Sequence, residues 1–543
     1  MDNKGFFDLA IKYFMKGFIM KRLLNFLLAI ILLFPVGNAH ASEDVLRVGM
    51  EVNYAPYNFS EVDDKNGGYP VANSNGEYAN GYDVRFAENI AKHLGKKLEI
   101  YKIEWDGLIP ALTSGKIDAI LAGMSPTDER RAQIDFSLPY YRAVMCVVVP
   151  KDSKYIDAKS INDFKGAKIT GQLGTFHADM VDQMEGVIKQ EPMDSFPTMI
   201  AATNAGTIDG YVSEVAGAES AISSNPNLTY LTFDDENNFV TSDDDTTVAV
   251  GIAKGSPLTE EINAYLKDLD IDAVQEETMK EMVAITTKDE HPKSFIQEVK
   301  DIWGKYSSLF LKGVVNTLFI AILSTILGFI IGLLVAIIRK IEVNKKSNAI
   351  GYYAHKVVNA ILSIYVEIFR GTPMMVQSVI IFYGLKQYFD IDLSTMFAAI
   401  LIVSINTGAY LSEVVRGGIN AVDSGQFEAC KAIGLTNWQA MTNIILPQTI
   451  KTILPSLGNE FVINIKDTSV LNVISVTELF FMSKSVAGST YQYFPTYLIT
   501  AVIYLVLTFT ITRILLLLER RLNDKDFILE SSTGAINVNT HGK

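Results

Sequence analysis

Five apolar segments crowd the second half of this chain, at about 309–338, 359–389, 396–416, 444–465 and 496–518. Each is long enough to cross ~30 Å of hydrocarbon, although the second and fourth carry polar residues. That pattern holds residues 301–522 to an all-α membrane domain with five transmembrane helices. The averages agree: hydrophobic residues make up 49% of the 543, and mean hydropathy is +0.20, which soluble chains rarely reach.

The averages also conceal a split. From Ser42 to about Lys300 short strand-like runs, among them Leu46–Met50, Lys97–Ile103, Ile117–Ala122 and Met145–Val149, alternate with helical patterns such as Val84–Leu94 and Thr259–Leu269. Alternation of that kind predicts a soluble α/β unit with parallel sheets and crossover helices. Ahead of it stand Lys21 and Arg22, the apolar run Leu23–Phe34, and Ala39-His40-Ala41. This is the order of a secretory signal over residues 1–41, either cut after Ala41 or kept as an anchor. With residues 42–300 exported, the first span ends in the cytoplasm at Arg339, Lys340, Lys345 and Lys346, and the fifth at Arg520 and Arg521. Both clusters obey the positive-inside rule. The expected location is the plasma membrane, multi-pass, with the soluble half outside and a cytoplasmic tail over 523–543.

Several chemistries are excluded. Basic residues number 47 and acidic ones 61, a net charge of −14, which argues against nucleic acid as a partner. Two cysteines, Cys146 and Cys430, make neither a disulfide framework nor a multi-thiolate metal site, and the six histidines have no metal-ligand spacing. Asp243-Asp244-Asp245 lacks the D-x-D-x-D-G spacing of a calcium loop and reads as a solvated turn. No G-x-x-x-x-G-K-[ST] occurs, so the chain carries no phosphate loop for hydrolysing ATP. No metal or cofactor is expected in it.

Two stretches carry recognisable motifs. In the membrane half, Gln426-Phe427-Glu428-Ala429-Cys430, then Gly434, then Ile444-Ile445-Leu446-Pro447 resembles the E-A-A loop of ABC importer permeases, with Cys430 where that family usually has Ala. Tyr365–Pro373, Tyr410–Gly418 and Lys466-Asp467-Thr468-Ser469 resemble its polar amino-acid branch. In the soluble half, Gly81-Tyr82-Asp83-Val84, Ala122–Arg130, Asp135–Tyr141 and Gln172-Leu173-Gly174-Thr175 resemble amino-acid-binding proteins of the two-lobed periplasmic type. The whole chain therefore looks like a receptor fused to a permease: a two-lobed α/β binding domain followed by the helical membrane domain.

The resemblance implies a site. Arg130 is the expected clamp for an amino acid's carboxylate, because a guanidinium fork matches two oxygens. Gly123 and Ser125 would add a close backbone approach and a hydroxyl. Glu214 stands where the family usually places an Asp for the ammonium, and Gln172 and Thr175 match second-lobe contacts. Tyr54 and Trp105 match an aromatic pair that sandwiches the side chain, and Glu51 matches a position at its far end. Extra carboxylates there, with Asp106, favour arginine, lysine or histidine. The family also uses an acid at that position for glutamine, so both substrates stay open.

Resemblance likewise implies an energy source on another polypeptide. The loop at about 423–447, with Glu428, Ala429 and Gly434, would seat on a separate ABC ATPase, expected as a dimer that holds ATP and Mg. Within the bilayer Asn459, Glu460, Lys466, Asp467 and Thr468 are costly unless paired or facing water, so they either line the translocation path or pair structurally. Five spans make half a pore, so a second copy or a related permease is required. A ligand-gated channel or a sensing receptor could use the same binding domain, but neither needs an ATPase seat.

Overall fold

The computed structural model describes residues 44–241, 246–286, 294–340 and 349–532. The expected signal segment, Asp243–Asp245, Lys345 and Lys346 lie outside the described residues, as do the side chains of Arg520 and Arg521.

The first lobe is built on β1 (Val45–Met50), β2 (Lys97–Lys102), β3 (Ala119–Ile120) and β4 (Asp135–Arg142). The chain then crosses into the second lobe, which holds β5 (Met145–Pro150), β6 (Lys168–Thr170), β7 (Ile188–Lys189), β8 (Gly210–Glu214) and β9 (Leu228–Leu231). It returns through β10 (Thr247–Ile252) to the first. Strand orders are β2-β1-β3-β10-β4 and β7-β6-β8-β5-β9. In β1, Leu46, Val48 and Met50 are fully buried, and β10 is buried along its length, as strands covered on both faces must be.

The expected all-parallel sheets are corrected in part. β1 pairs in parallel with β2 and β3, and β6 with β7 and β8. β10 instead runs antiparallel to β3 and β4, and β5 antiparallel to β8 and β9. These are the strands through which the chain passes between lobes, so they enter each sheet against the run of its βαβ units.

The membrane half begins with α1 (Phe295–Lys340), a single helix in which the boundary expected at residue 300 falls. Among the described residues three helices are long and apolar enough to cross a bilayer, α1, α4 (Thr395–Ala421) and Tyr493–Glu519, and two bent pairs raise the number to five if each is one span. The first pair is α2 (Ala349–Gly371) with α3 (Met374–Val379) and its continuation to Phe389, bent by 114°. Pro373 lies at the break, where it has no N–H to give and keeps Thr372 out of the helical region. The second pair, bent by 56°, joins Asn437–Ile474 to α7 (Leu479–Thr490). Between α4 and that pair lies α5 (Ser424–Ala432), and the pair's first arm contains α6 (Leu446–Asp467). Both bent segments are those in which polar residues interrupt the apolar run.

The helices interlock through small and polar residues. Gly328 and Gly332 of α1 pack on Thr407–Ser412 of α4. Asn464 of α6 accepts from Thr407 and donates to Thr325, joining three helices by bonds of 3.1 and 2.8 Å. Such small-residue contacts and polar ties substitute for the hydrophobic drive that lipid removes. The final helix, α8 (Tyr493–Ser532), runs past the expected end of the membrane domain at 522. The two halves meet through α7 and the turn after it, which contact both lobes.

Candidate ligand-binding site and coupling helix

All nine expected ligand residues, Glu51, Tyr54, Trp105, Gly123, Ser125, Arg130, Gln172, Thr175 and Glu214, line one cavity between the lobes, of about 20 Å3. They stand at or beyond the carboxyl ends of β1, β2, β3, β6 and β8, the edge where open α/β sheets gather ligands. Gly123 is in the left-handed region (φ 65°), and a Cβ there would press to 3.3 Å on the Tyr54 ring. The volume suits about one water, so the lobes must part to admit an amino acid.

Arg130 is buried at 8% exposure, and its guanidinium donates to the Ser125 carbonyl at 2.7 Å and, across the cleft, to the Gly174 carbonyl at 2.9 Å. It also lies over the Trp105 ring, 5.1 Å from the centroid. Burial pushes its pKa down to about 10, with only Glu129 pulling the other way. A buried guanidinium held by carbonyls alone is a strong anchor for an incoming carboxylate.

Glu214, at the end of β8, accepts from the Tyr54 hydroxyl at 2.5 Å and lies 3.4 Å from His177 Nε2. Burial works against its charge, but His177 and the Tyr54 hydroxyl hold the carboxyl below its usual range. The result is an anion in a dry cleft, suited to an ammonium. The Tyr54 ring is stacked between Tyr57 (4.8 Å) and Phe196 (4.9 Å). The expected sandwich with Trp105 is therefore altered: Tyr54 offers the cavity its hydroxyl and edge, while the Trp105 face is covered by Arg130.

Glu51 shows the opposite balance. Burial first, then the neighbouring Glu104, push its carboxyl up to about 8. Lys484, from α7, draws it down, while Asp106 and Asp194 add to the rise. Phe176, His177, Phe196 and Ala122 complete the lining and were not among the sequence candidates. Phe176 and His177 follow directly on Thr175, so extending that loop by two residues would have found them. Phe196 carries no such signal.

On the membrane half, Asp423 caps α5 by accepting from the Gly425 N–H at 2.6 Å. Gly434 closes the helix with φ 80°, a conformation that needs no side chain. Cys430 is the buried face of this helix, whereas Glu428 and Ala429 are exposed and Ile433 is 74% exposed. Of the expected path residues, Thr468 is buried and donates to the Ile465 carbonyl, whereas Asn459, Lys466 and Asp467 are exposed and Glu460 is half-buried. With Thr452 and Ser456, the exposed ones form one polar face of the helix. Asn459 also lines a groove of about 880 Å3 between α1, α6 and α8.

Residues 46–283 match the model for bacterial extracellular solute-binding proteins, family 3, and residues 347–524 that for the inner membrane component of binding-protein-dependent transport systems. The probable amino-acid permease protein YxeN of Bacillus subtilis (strain 168) is 37% identical over 209 residues, which cover 38% of this chain and 88% of that protein. The chain belongs to the binding-protein-dependent permease family. The glutamine transport system permease protein GlnP of Escherichia coli (strain K12) is another relative in it, 33% identical over 39% of this chain and 93% of its own length. Among solved structures, the substrate-binding protein AbpA of Streptococcus pneumoniae, bound to L-arginine, is 24% identical over 47% of this chain and all of that one, with a TM-score of 0.38, too low to bear on ligand identity. The solute-binding match and the permease match fall on successive stretches of one chain, so this permease carries its solute-binding domain on the same polypeptide. It is the fused binding and permease component of an amino-acid ABC importer, from a family whose membrane components belong to inner-membrane transport systems.

Proposed function

We propose that the chain imports an amino acid with a cationic side chain, driven by a separate ABC ATPase seated on the α5 helix. The observation that carries this reading is the set of charges lining one cavity: Arg130, held by carbonyls, Glu214, held as an anion, and Glu51 with its acidic neighbours. Arg130 takes the ligand's carboxylate, Glu214 its ammonium, and Glu51 the distal charge. Closure of the lobes is the hinge step, and Arg130, which already bonds both lobes, is the residue that ligand binding would tighten.

In this reading the binding domain faces outward, and α5 and the C-terminal tail face the cytoplasm. The exposed polar face of α6 needs water or a second subunit opposite it, which supports assembly with another copy or a related permease. ATP and Mg belong to the ATPase; nucleotide-driven motion reaches the spans through α5, and differential affinity of each state for ligand and nucleotide sets the direction.

Glutamine is the second reading, favoured by one feature: a Glu51 carboxyl held up at about 8 is largely protonated at neutral pH and could donate to an amide oxygen. Titration of the full chain in lipid nanodiscs with L-arginine and L-glutamine separates the two. Tighter binding of arginine is expected; binding of glutamine alone would reverse the assignment.

A further inference from the structure

Four carboxylates form one electrostatic group around Glu51. Glu51 lines the cavity, Glu104 and Asp106 flank Trp105, and Asp194 comes from the second lobe; the other three all act electrostatically on Glu51. A cation already reaches this group from the membrane half. Lys484, on α7, makes an ion pair of 2.6 Å with Glu104, the two side chains only 18% and 13% exposed, and it is within electrostatic reach of Glu51 and Asp194.

The seat of α7 fixes that cation in place. Gly488 packs on the Asn53 main chain so closely that a Cβ would stand 2.1 Å from its carbonyl oxygen. Just beyond the helix, the Tyr491 hydroxyl donates to the Ala55 carbonyl of the first lobe, and Asn225 of the second lobe donates to the Tyr491 carbonyl at 3.1 Å. The element therefore holds both lobes while it presents Lys484 to the rim of the cleft.

We propose that Lys484 is a competitor carried by the permease for the cationic end of the ligand, neutralising the acidic group on docking and so weakening retention of a cationic amino acid. The inference rests on the cationic-substrate reading above. A second positive charge entering the cluster loses attraction to Glu104 and is repelled by the ammonium, whereas a neutral amide is nearly indifferent to both. Docking and cationic ligand then oppose each other reciprocally, so the ligand is loosened only where the pore is at hand.

The test compares the wild-type full chain in nanodiscs with K484Q and K484R, measuring equilibrium binding of L-arginine and L-glutamine. K484Q should bind arginine roughly fivefold more tightly, the worth of one partly exposed ion pair, with glutamine binding unmoved. K484R, which keeps the charge, should match wild type. Unchanged arginine affinity in K484Q, or equal tightening for both ligands, would overturn the proposal while leaving the cationic reading in place. Absence of arginine binding in every chain, with glutamine still bound, would overturn that reading and this inference with it.

Discussion

Arg130 concentrates the ligand argument in one side chain. Its guanidinium is buried, bonded to two carbonyls and stacked on Trp105, so substitution removes a charge, a fork and a bridge between lobes together. Arg130→Ala should weaken amino-acid binding by about 2–5 kcal/mol, seen as loss of heat in calorimetry of the full chain. Wild-type affinity in that variant would remove the carboxylate assignment. Glu51 makes a separate prediction, because burial holds its carboxyl up at about 8. A cationic side chain favours the ionised form, so arginine binding at neutral pH should expel a proton, and affinity should climb from about pH 6 to pH 8 and then level off. Calorimetry in buffers of different ionisation enthalpy reads that proton directly; a pH-flat affinity would place the ligand's charge elsewhere. At this scale the sequence was generous where motifs were local. Ala122–Arg130 and Gln172–Thr175 each put several lining residues in one short run. It was silent where packing decides: Tyr54 matched a sandwich position, yet the stack with Tyr57 and Phe196 turned its ring face away, and neither partner lies in a motif.

Elements were legible by period and punctuation. The apolar runs located the membrane helices, and Thr372-Pro373 marks the break that turns the second run through 114°. The direction of the crossing strands was not legible, because burial on both faces reads the same for parallel and antiparallel strands; only the passage of the chain between lobes fixes it. Asn464, which ties α6 to α1 and α4, was passed over in favour of more exposed neighbours. The α5 helix is short, capped at both ends and held by Cys430, with Glu428 left facing outward. Glu428→Lys should therefore leave amino-acid binding intact and the fold unmoved while abolishing ligand-stimulated ATP hydrolysis in the assembly with its ATPase. Normal coupled uptake by that variant would detach this helix from the motor.

At the scale of the whole molecule, a solute-binding domain and a permease domain share a chain whose sequence has no phosphate loop. Vesicles holding the purified chain by itself should therefore show ligand binding but no uphill accumulation of radiolabelled amino acid, and adding the ATPase with ATP should start it. Accumulation without the ATPase would end the importer reading.

The helix α1 carries a further consequence. Its 46 residues span about 69 Å, more than twice the thickness of the hydrocarbon, so the part outside lipid brings the binding domain to the mouth of the pore. From Thr286 to Ser294 the chain can reach at most about 30 Å. Because the two domains are covalently joined, their ratio is fixed at one to one, whatever the cell's expression level. Every permease domain of this kind therefore arrives at the membrane with one receptor domain of its own.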